Sequence, residues 1–272
     1  MSVTGKALWY IESHLSGDLS LDAIAAVAEV SRFHLSRAFP ASTGYSLYGY
    51  IRARRLSEAA RILAGGARDI LAVALDAGYG SHEAFTRAFH QHFGITPEQF
   101  RAAADRNHPS LMEPIRMDQA TTSTLAPPRV VTGSAMLIFG LSQRYHCANK
   151  AGIPSQWDRF LPHMGRARVA YGVVYNSDDA GNFEYLCGIQ VQEFPSHPAE
   201  FTRFRIPPQT YAVFEHRDHI SSIAATLKQI WDEALPASGH KAADGPLLER
   251  YGPEFDGHTG FGGLEIRIPI RS

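Results

Sequence analysis

The chain has 272 residues and a formal net charge of −1, with 44% hydrophobic and 19% charged residues. This composition excludes a disordered chain and is typical of a soluble, folded protein of about two domains. No run reaches the roughly 18 apolar residues of a membrane span, and no secretory signal begins the chain. Cys147 and Cys187 are too few for a disulfide framework or a zinc site. We therefore expect a cytoplasmic protein with no membrane association and no metal.

Hydrophobic periodicity and capping residues predict about seven helices between residues 6 and 104. Ser20 and Ser31 are placed to cap the second and third helices. The fourth is the longest and runs from Ser46 to about Ala64, where two glycines follow. Three further helices are predicted, at 69–77, at 81–92 and from Thr96 onward.

Two passages fifty residues apart, Ser31–Phe39 and Ser81–Phe89, are nearly the same. Each begins with a capping Ser, and an Arg and a Phe follow six and eight residues later. A helix, a tight turn and a second helix, used twice, is the layout of a protein that reads two successive major grooves of DNA. The long helix between the units would hold the two reading helices about one DNA turn, roughly 34 Å, apart.

The apolar stripe of each second helix leaves other side chains pointing outward, and these are the candidates for reading DNA. Arg bonds guanine in a bidentate manner, Glu accepts from cytosine, and Ser, Thr and His reach bases or phosphates. The candidates are Arg32, Phe33, Ser36 and Arg37 in the first unit, and His82, Glu83, Thr86 and Arg87 in the second.

A basic stretch surrounds the first unit, because no acidic residue occurs between Val30 and Ser57. This stretch predicts a local electropositive face that neutralises DNA phosphates. A solvated helix surface is the alternative interpretation. The arginines of the stretch are Arg32, Arg37, Arg52, Arg54 and Arg55.

Several short motifs accompany the repeat: Arg55–Ala60, Ala74–Tyr79, Phe85–Phe89 and the closing Phe93–Arg101. With these motifs, residues 6–104 resemble the DNA-binding domain of AraC/XylS-family transcription regulators. The resemblance implies binding to promoter DNA, and it places base-facing residues on all of the candidates above except Arg32.

One position departs from that family pattern. The glycine expected in the first turn is Glu29, whereas Gly78 is present in the second turn. Because a side chain disfavours the left-handed backbone that such a turn uses, we expect local strain at Glu29.

Helical periodicity ends near Ala104, and the composition of the next twenty or so residues is that of a linker. We therefore predict an all-α DNA-binding domain at 1–105, a linker at 106–127 and a second domain at 128–272. Strand-like runs and two helices, Ser155–Met164 and His219–Leu235, predict a doubled α+β unit with an antiparallel sheet and both helices on one face. The runs are 130–139, 168–175, 183–191, 199–206, 211–216 and 263–270.

Five segments of the second domain form a characteristic series along the chain: Tyr171–Tyr175, Phe183–Tyr185, Tyr211–His216, Leu248–Tyr251 and Glu265–Ile270. In that order they are similar to the GyrI-like effector-binding domain found in MerR-type drug sensors. The resemblance implies a cleft lined by aromatic residues with an acid at its base. A carboxylate in an aromatic slot favours a flat, cationic ligand.

Glu249 best matches the acid of that cleft, and Glu265 is the second candidate. The candidate walls are Trp157, Tyr171, Tyr185, Tyr251 and Phe261. If residues 247–251 form a strand, alternation puts Glu249 and Tyr251 on one face and Arg250 on the other. The alternative is that Glu249 pairs with Arg250 or Arg267 on the surface and the aromatic residues fill the core.

These patterns predict a transcription regulator without catalytic residues or a cofactor. Its first domain would bind promoter double-stranded DNA, with RNA polymerase as a partner, and its second would sense a small molecule, such as an aromatic cation, or a protein partner. Two alternatives stay open: a GyrI-like hydrolase in which Glu249 acts as general base, and a module with a closed groove that acts on polymerase or gyrase.

Overall fold

The computed structural model describes residues 2–66, 69–105, 108–115, 125–194 and 200–271. Helices come first, and each begins where a Ser, Thr or Asp side chain accepts a hydrogen bond from a backbone N–H of the first turn. They are α1 (Val3–Ser13), α2 (Leu21–Val27), α3 (Arg32–Thr43), α4 (Leu47–Ala64), α5 (Ile70–Asp76), α6 (His82–Phe93) and α7 (Pro97–Ala103).

Two helix-turn-helix units, α2–α3 and α5–α6, flank the long α4, as the repeat predicts. The turn residues have left-handed backbone conformations, with φ 60° at Glu29 and φ 80° at Gly78. The expectation of a left-handed, non-glycine turn residue at Glu29 is therefore confirmed. Lys6 Nζ lies 2.6 Å from Glu29 Oε2, so an ion pair holds that side chain at the surface.

The second domain contains an antiparallel sheet, which confirms the predicted fold class. Among the described residues its strands follow the order β1-β6-β9-β8-β3-β4-β2-β5, and β7 pairs with β9. The strands are β1 (Arg129–Gly133), β2 (Met136–His146), β3 (Ala170–Tyr175), β4 (Asn182–Val191), β5 (Thr202–Ile206), β6 (Gln209–His216), β7 (Lys241–Ala242), β8 (Leu247–Tyr251) and β9 (Leu264–Arg271). Residue 199, part of one predicted strand, lies outside the described residues.

Helices cover one face of this sheet, as predicted. α8 (Ile153–Phe160) packs on β2 and β4. α9 (Ile223–Gln229) continues through a π-helical turn (Ile230–Ala234) into α10 (Leu235–Ala237). Val174 packs against the hydrophobic clusters of both helical segments, so the two segments share a face.

The first helix-turn-helix unit and the second domain share one hydrophobic core. Leu35 and Phe39 of α3 lie in the same buried cluster as Phe214, Trp231 and Ile268 of the second domain. The second unit has a separate core, built from α5–α7 and the C-terminal half of α4. The first unit is therefore joined to the second domain by packing as well as by the chain.

The beginning of the predicted linker lies along α4, where the Met112 N–H donates to Ser57 Oγ at 2.8 Å. The Ile115 N–H donates to the Tyr50 hydroxyl at 3.2 Å. Residues 106–107 and 116–124 of that linker lie outside the described residues. In the part of the chain that is described, no helix is both long and apolar enough to cross a membrane.

Candidate functional site

The outward face of α6 is open to solvent. His82, Glu83 and Arg87 are exposed, as predicted for DNA-reading side chains, and His82 Nε2 lies 3.3 Å from Glu98 Oε1. Thr86 is half-buried, and its Oγ1 has no hydrogen-bond partner among the described residues. Three of the four candidates in the second unit are therefore accessible to a DNA duplex.

The corresponding face of α3 is covered, contrary to the outward orientation predicted from periodicity. Arg32 is exposed and lies 3.4 Å from Asp22, but Phe33, Ser36 and Arg37 are half-buried. The Arg37 guanidinium lies 5.1 Å from the centroid of the Phe33 ring. Packing of α3 against α9 and the π-helical turn encloses this face, a contact that helical periodicity does not reveal.

The Arg37 side chain is enclosed although it carries a charge. Its Nε is buried without a hydrogen-bond partner among the described residues. Burial lowers the pKa of Arg37 to about 10, although the nearby Asp244 carboxylate opposes this shift. The guanidinium stays charged at neutral pH in surroundings that solvate it poorly.

The electropositive face is smaller than predicted, because two arginines besides Arg37 are bound within the protein. Arg54 is 3% exposed, and its Nε and Nη2 donate to the two oxygens of Glu12 at 3.0 and 2.9 Å. Arg55 donates to the backbone carbonyls of Leu15 and Gly17. Of the five arginines in the stretch, only Arg32 and Arg52 are exposed.

Four of the seven predicted ligand residues meet on the helix-covered face of the sheet. The hydroxyls of Tyr185 and Tyr251 donate to Glu249 Oε2 at 2.6 and 2.9 Å. Trp157 Nε1 donates to the Tyr185 hydroxyl at 3.1 Å, and the Trp157 and Tyr251 rings meet edge to face at 5.1 Å. The prediction that Glu249 and Tyr251 share one face is confirmed.

The position of Gly172 makes this contact possible. It pairs with Glu249 of β8 on one side and with Cys187 of β4 on the other. A Cβ atom at Gly172 would lie 2.6 Å from Glu249 Oε2 and closer still to the Tyr185 hydroxyl. A glycine within a strand marks such a close approach, so Gly172 is the feature of the sequence that indicates this contact.

Glu249 is 7% exposed, and burial raises the pKa of its carboxyl. Hydrogen bonds from Tyr185 and Tyr251 lower that pKa, as does the charge of Lys150, and so oppose the effect of burial. Burial and the neighbouring Glu249 charge raise the pKa of both tyrosines well above the ordinary value. The two hydroxyls are therefore protonated and act as donors.

The other three ligand candidates lie elsewhere. Tyr171 points to the opposite face of the sheet, where it joins a separate buried cluster with Val173. Phe261 is 50% exposed in a loop and contacts His219, with ring centroids 5.1 Å apart. Alternation shows which residues of one strand share a face, but the register with the neighbouring strands decides which face that is. The sequence alone therefore did not assign Tyr171 to a face.

Glu265 belongs to an ion-pair cluster rather than to the aromatic site. It pairs with Arg129, with Arg267 at 2.7 Å and with Arg250 at 3.7 Å. Arg250 and Arg267 therefore pair with Glu265, and the alternative in which either one neutralises Glu249 is not observed. Within the described ranges, no group of three or more His, Cys, Asp or Glu residues is arranged to hold a metal ion.

A cavity of about 130 Å³ opens beside Glu249 and Tyr185. One wall comes from the sheet, and the facing wall comes from α3 through Ser36, Arg37 and Ala41. Lys150, which carries a positive charge, and the Trp231 ring also line the cavity. No local pattern in the sequence of α3 indicates that this helix lies at the cavity.

Comparisons with known proteins agree with both halves of this architecture. A helix-turn-helix domain family matches residues 24–103, and the family described as GyrI-like small molecule binding domain matches residues 126–271. Transcriptional regulator Rob of Salmonella typhimurium is 28% identical over 281 aligned residues, covering 97% of this chain and 96% of Rob. Multiple antibiotic resistance protein MarA of Escherichia coli is 32% identical over 106 residues, covering 39% of this chain and 84% of MarA.

The solved structure of the DNA-binding domain of AdpA, a global transcriptional factor, in complex with a target DNA has a TM-score of 0.36 and 25% identity. That match covers 38% of this chain and 93% of the AdpA domain. Rob is named as a transcriptional regulator. The chain belongs to the AraC-type DNA-binding transcription regulators in which the helix-turn-helix region is followed by a GyrI-like small molecule binding domain.

Proposed function

We propose that the chain reads promoter DNA with α3 and α6 and that an aromatic cation bound beside Glu249 controls this activity. RNA polymerase is the partner on which such a promoter-bound regulator would act. The observation that carries the ligand proposal is the buried Glu249 carboxylate, which lies among aromatic rings and lines a cavity.

A buried carboxylate is costly unless it is paired with a cation or held by hydrogen bonds. Here both tyrosine hydroxyls donate to Oε2, and Oε1 has no hydrogen bond within the described part of the chain. The arginines of the neighbouring strands pair with Glu265 instead. Lys150 acts on Glu249 through its charge, without a hydrogen bond among the described contacts. A ligand cation in the cavity would lie directly against the carboxylate and contact aromatic rings, an arrangement that stabilises aromatic cations.

Binding of tetraphenylphosphonium to the full chain, measured by titration calorimetry, tests the charge preference. Tetraphenylborate has nearly the same shape and the opposite charge, so it is the matched ligand control. We expect Glu249→Gln to weaken tetraphenylphosphonium binding more than tenfold, about 1.4 kcal/mol. Glu265→Gln, at the second acid candidate, should leave the affinity unchanged. Equal binding of the two ions, or an unchanged affinity after Glu249→Gln, would contradict the proposal.

The DNA proposal rests on the open face of α6. Arg87 is exposed at a base-facing position of the reading helix. Replacement of such an arginine by alanine typically costs about 1–3 kcal/mol of specific binding. We expect this loss for Arg87→Ala on a DNA duplex selected from a random pool by the wild-type chain. Arg217→Ala, which removes an exposed charge at 81% side-chain exposure in the second domain, is the control and should bind normally.

A further inference from the structure

The two reading helices are repeats in sequence, yet only one of them has an open reading face. On α6, Arg87 and Gln91 are exposed. The equivalent positions fifty residues earlier, Arg37 and Ala41 of α3, line the cavity beside Glu249. The first reading helix is therefore docked on the ligand domain, on the side where its own reading residues lie.

Specific polar contacts hold α3 and α1 in this docked position. Asp232, in the π-helical turn, is 5% exposed and accepts hydrogen bonds from the Thr4 N–H, the Thr4 hydroxyl and the Ser42 hydroxyl at 3.0, 2.6 and 2.6 Å. His34 Nε2 lies 2.7 Å from the Trp231 carbonyl oxygen, and the two rings meet edge to face. Hydrogen bonds to a charged group are among the stronger ones in proteins, so this set defines one docked geometry.

The contact is less favourable at Arg37. Its Nε is buried without a hydrogen-bond partner in the described part of the chain, and the side chain lines the cavity beside Glu249. At the other end of the same face, a second cavity of about 450 Å³ places Asp179 and Asp244 of the second domain among Arg32 and Arg37. These two carboxylates therefore lie near the arginines of α3, where DNA phosphates would lie if α3 were bound in a groove.

The size of the ligand cavity conflicts with the docked helix. With α3 in place the volume is about 130 Å³, whereas pockets for drug-sized ligands typically measure about 300–1,000 Å³. The sheet wall is one continuous antiparallel structure, and the opposite wall is α3 with the segments beside it. Of the two walls, α3 is the one that belongs to the other domain, and it is held there by packing in the shared core and by a few polar contacts.

We infer that the first reading helix closes the effector pocket, so that a ligand of aromatic-cation size and the docked α3 exclude one another. Ligand binding then releases α3, and with it Arg37, to the DNA. This inference rests on the proposed function of the pocket and adds its regulation. The ligand and the contact of α3 with DNA both require the undocked state. By linkage, binding of the ligand therefore strengthens binding of DNA by α3, and the reverse also holds.

Thiol labelling of the full chain tests whether α3 is docked and whether the ligand releases it. Ala41→Cys places a thiol on the docked face of α3, and Gln91→Cys places one at the equivalent open position of α6. Peptide mapping after treatment with N-ethylmaleimide distinguishes the new sites from the two native cysteines, which are buried in the docked state. Without ligand we expect labelling at position 41 to be more than tenfold slower than at position 91. Saturating tetraphenylphosphonium should accelerate labelling at position 41 at least tenfold and leave the labelling rate at position 91 unchanged.

DNA binding provides the second readout. On a duplex selected with tetraphenylphosphonium present and then assayed without it, Arg87→Ala should lower the affinity about tenfold, and Arg37→Ala should lower it several-fold less. With tetraphenylphosphonium present, both substitutions should lower the affinity about tenfold. Ser42→Ala removes one hydrogen bond to Asp232 without touching a reading residue, and it should raise DNA affinity in the absence of ligand.

The outcomes separate the two proposals. If tetraphenylphosphonium binds in a Glu249-dependent manner but position 41 is not labelled faster, the pocket proposal stands and the docking inference is wrong. Equal labelling of positions 41 and 91 without ligand would also refute docking. If tetraphenylphosphonium does not bind, the ligand class of the proposed function is wrong and the inference is overturned with it.

Discussion

Replacement of Gly172 by alanine is the most direct perturbation of the aromatic carboxylate site. The added methyl group would lie 2.6 Å from Glu249 Oε2 and closer to the Tyr185 hydroxyl, so the two groups that form the central hydrogen bond must separate. Both are buried inside the sheet and its helical cover, with Tyr185 2% and Glu249 7% exposed. Neither side chain can move into solvent without disturbing its neighbours.

The expected destabilisation follows from two contributions. Inserting a methyl group into a packed core costs about 1–3 kcal/mol, and losing a hydrogen bond to a buried charged group costs about 1.5–3 kcal/mol. Because movement of Glu249 relieves part of the overlap while breaking the bond, the two costs do not add fully. We expect Gly172→Ala to lower the free energy of unfolding of the second domain by about 2–4 kcal/mol.

Urea unfolding followed by tryptophan fluorescence measures this change, since Trp157 donates to Tyr185 within the site. Gly257→Ala is the matched control, because a Cβ there meets no atom within 4 Å. Tetraphenylphosphonium affinity of the same variants shows whether the site is lost together with stability. A Gly172→Ala protein within about 0.5 kcal/mol of the control would show that the close packing around Gly172 is not what holds the site.

Three further perturbations have defined outcomes. Glu29→Gly should raise the unfolding temperature, since glycine relieves the left-handed backbone strain and only a surface ion pair with Lys6 is lost; a lower temperature would contradict this. Cleavage at a protease site introduced between residues 116 and 124 should leave two pieces that co-elute on gel filtration, because the first unit and the second domain share a core; separate elution without denaturant would refute the shared packing. Burial lowers the pKa of His34 below its ordinary value of about 6.5, against the opposing charge of Asp232. A released His34 then binds a proton more readily than a docked one, so the docking free energy is fully present above about pH 6.5 and is lost as the pH falls below it. Labelling at position 41 relative to position 91 should therefore rise between pH 7.5 and 5.5, and His34→Gln should abolish that dependence.

Local features of the sequence were sufficient for the helical half of the fold. Ser31, Ser46 and Ser81 cap their helices in the structure, because a capping hydroxyl acts on N–H groups only two or three residues away. The left-handed turn at Glu29 was likewise readable, since backbone sterics depend on the residue and its immediate neighbours. Strand alternation, which has a period of two, correctly placed Glu249 beside Tyr251.

Contacts between distant segments were not readable in this way. Arg54 belonged to a basic stretch in the sequence, but its carboxylate partner Glu12 lies 42 residues earlier and buries it. Tyr171 had the same aromatic character as Tyr185, and only the strand register assigned it to the opposite face of the sheet. A residue type indicates which partners are favourable, but the long-range fold decides which partner is present.

The sequence by itself determined that two helix-turn-helix units exist, where the second helix of each begins, and which side chains that helix presents away from its own unit. Only the tertiary structure decided that α6 keeps this face open while the same face of α3 lies on the second domain. The physical reason is that the hydrophobic periodicity of a helix reflects its packing against helices nearby in the chain, and this packing is the same in both units. The contacts that cover α3 join Ser42 to Asp232 and His34 to Trp231, nearly two hundred residues apart, and no local pattern encodes such a pairing.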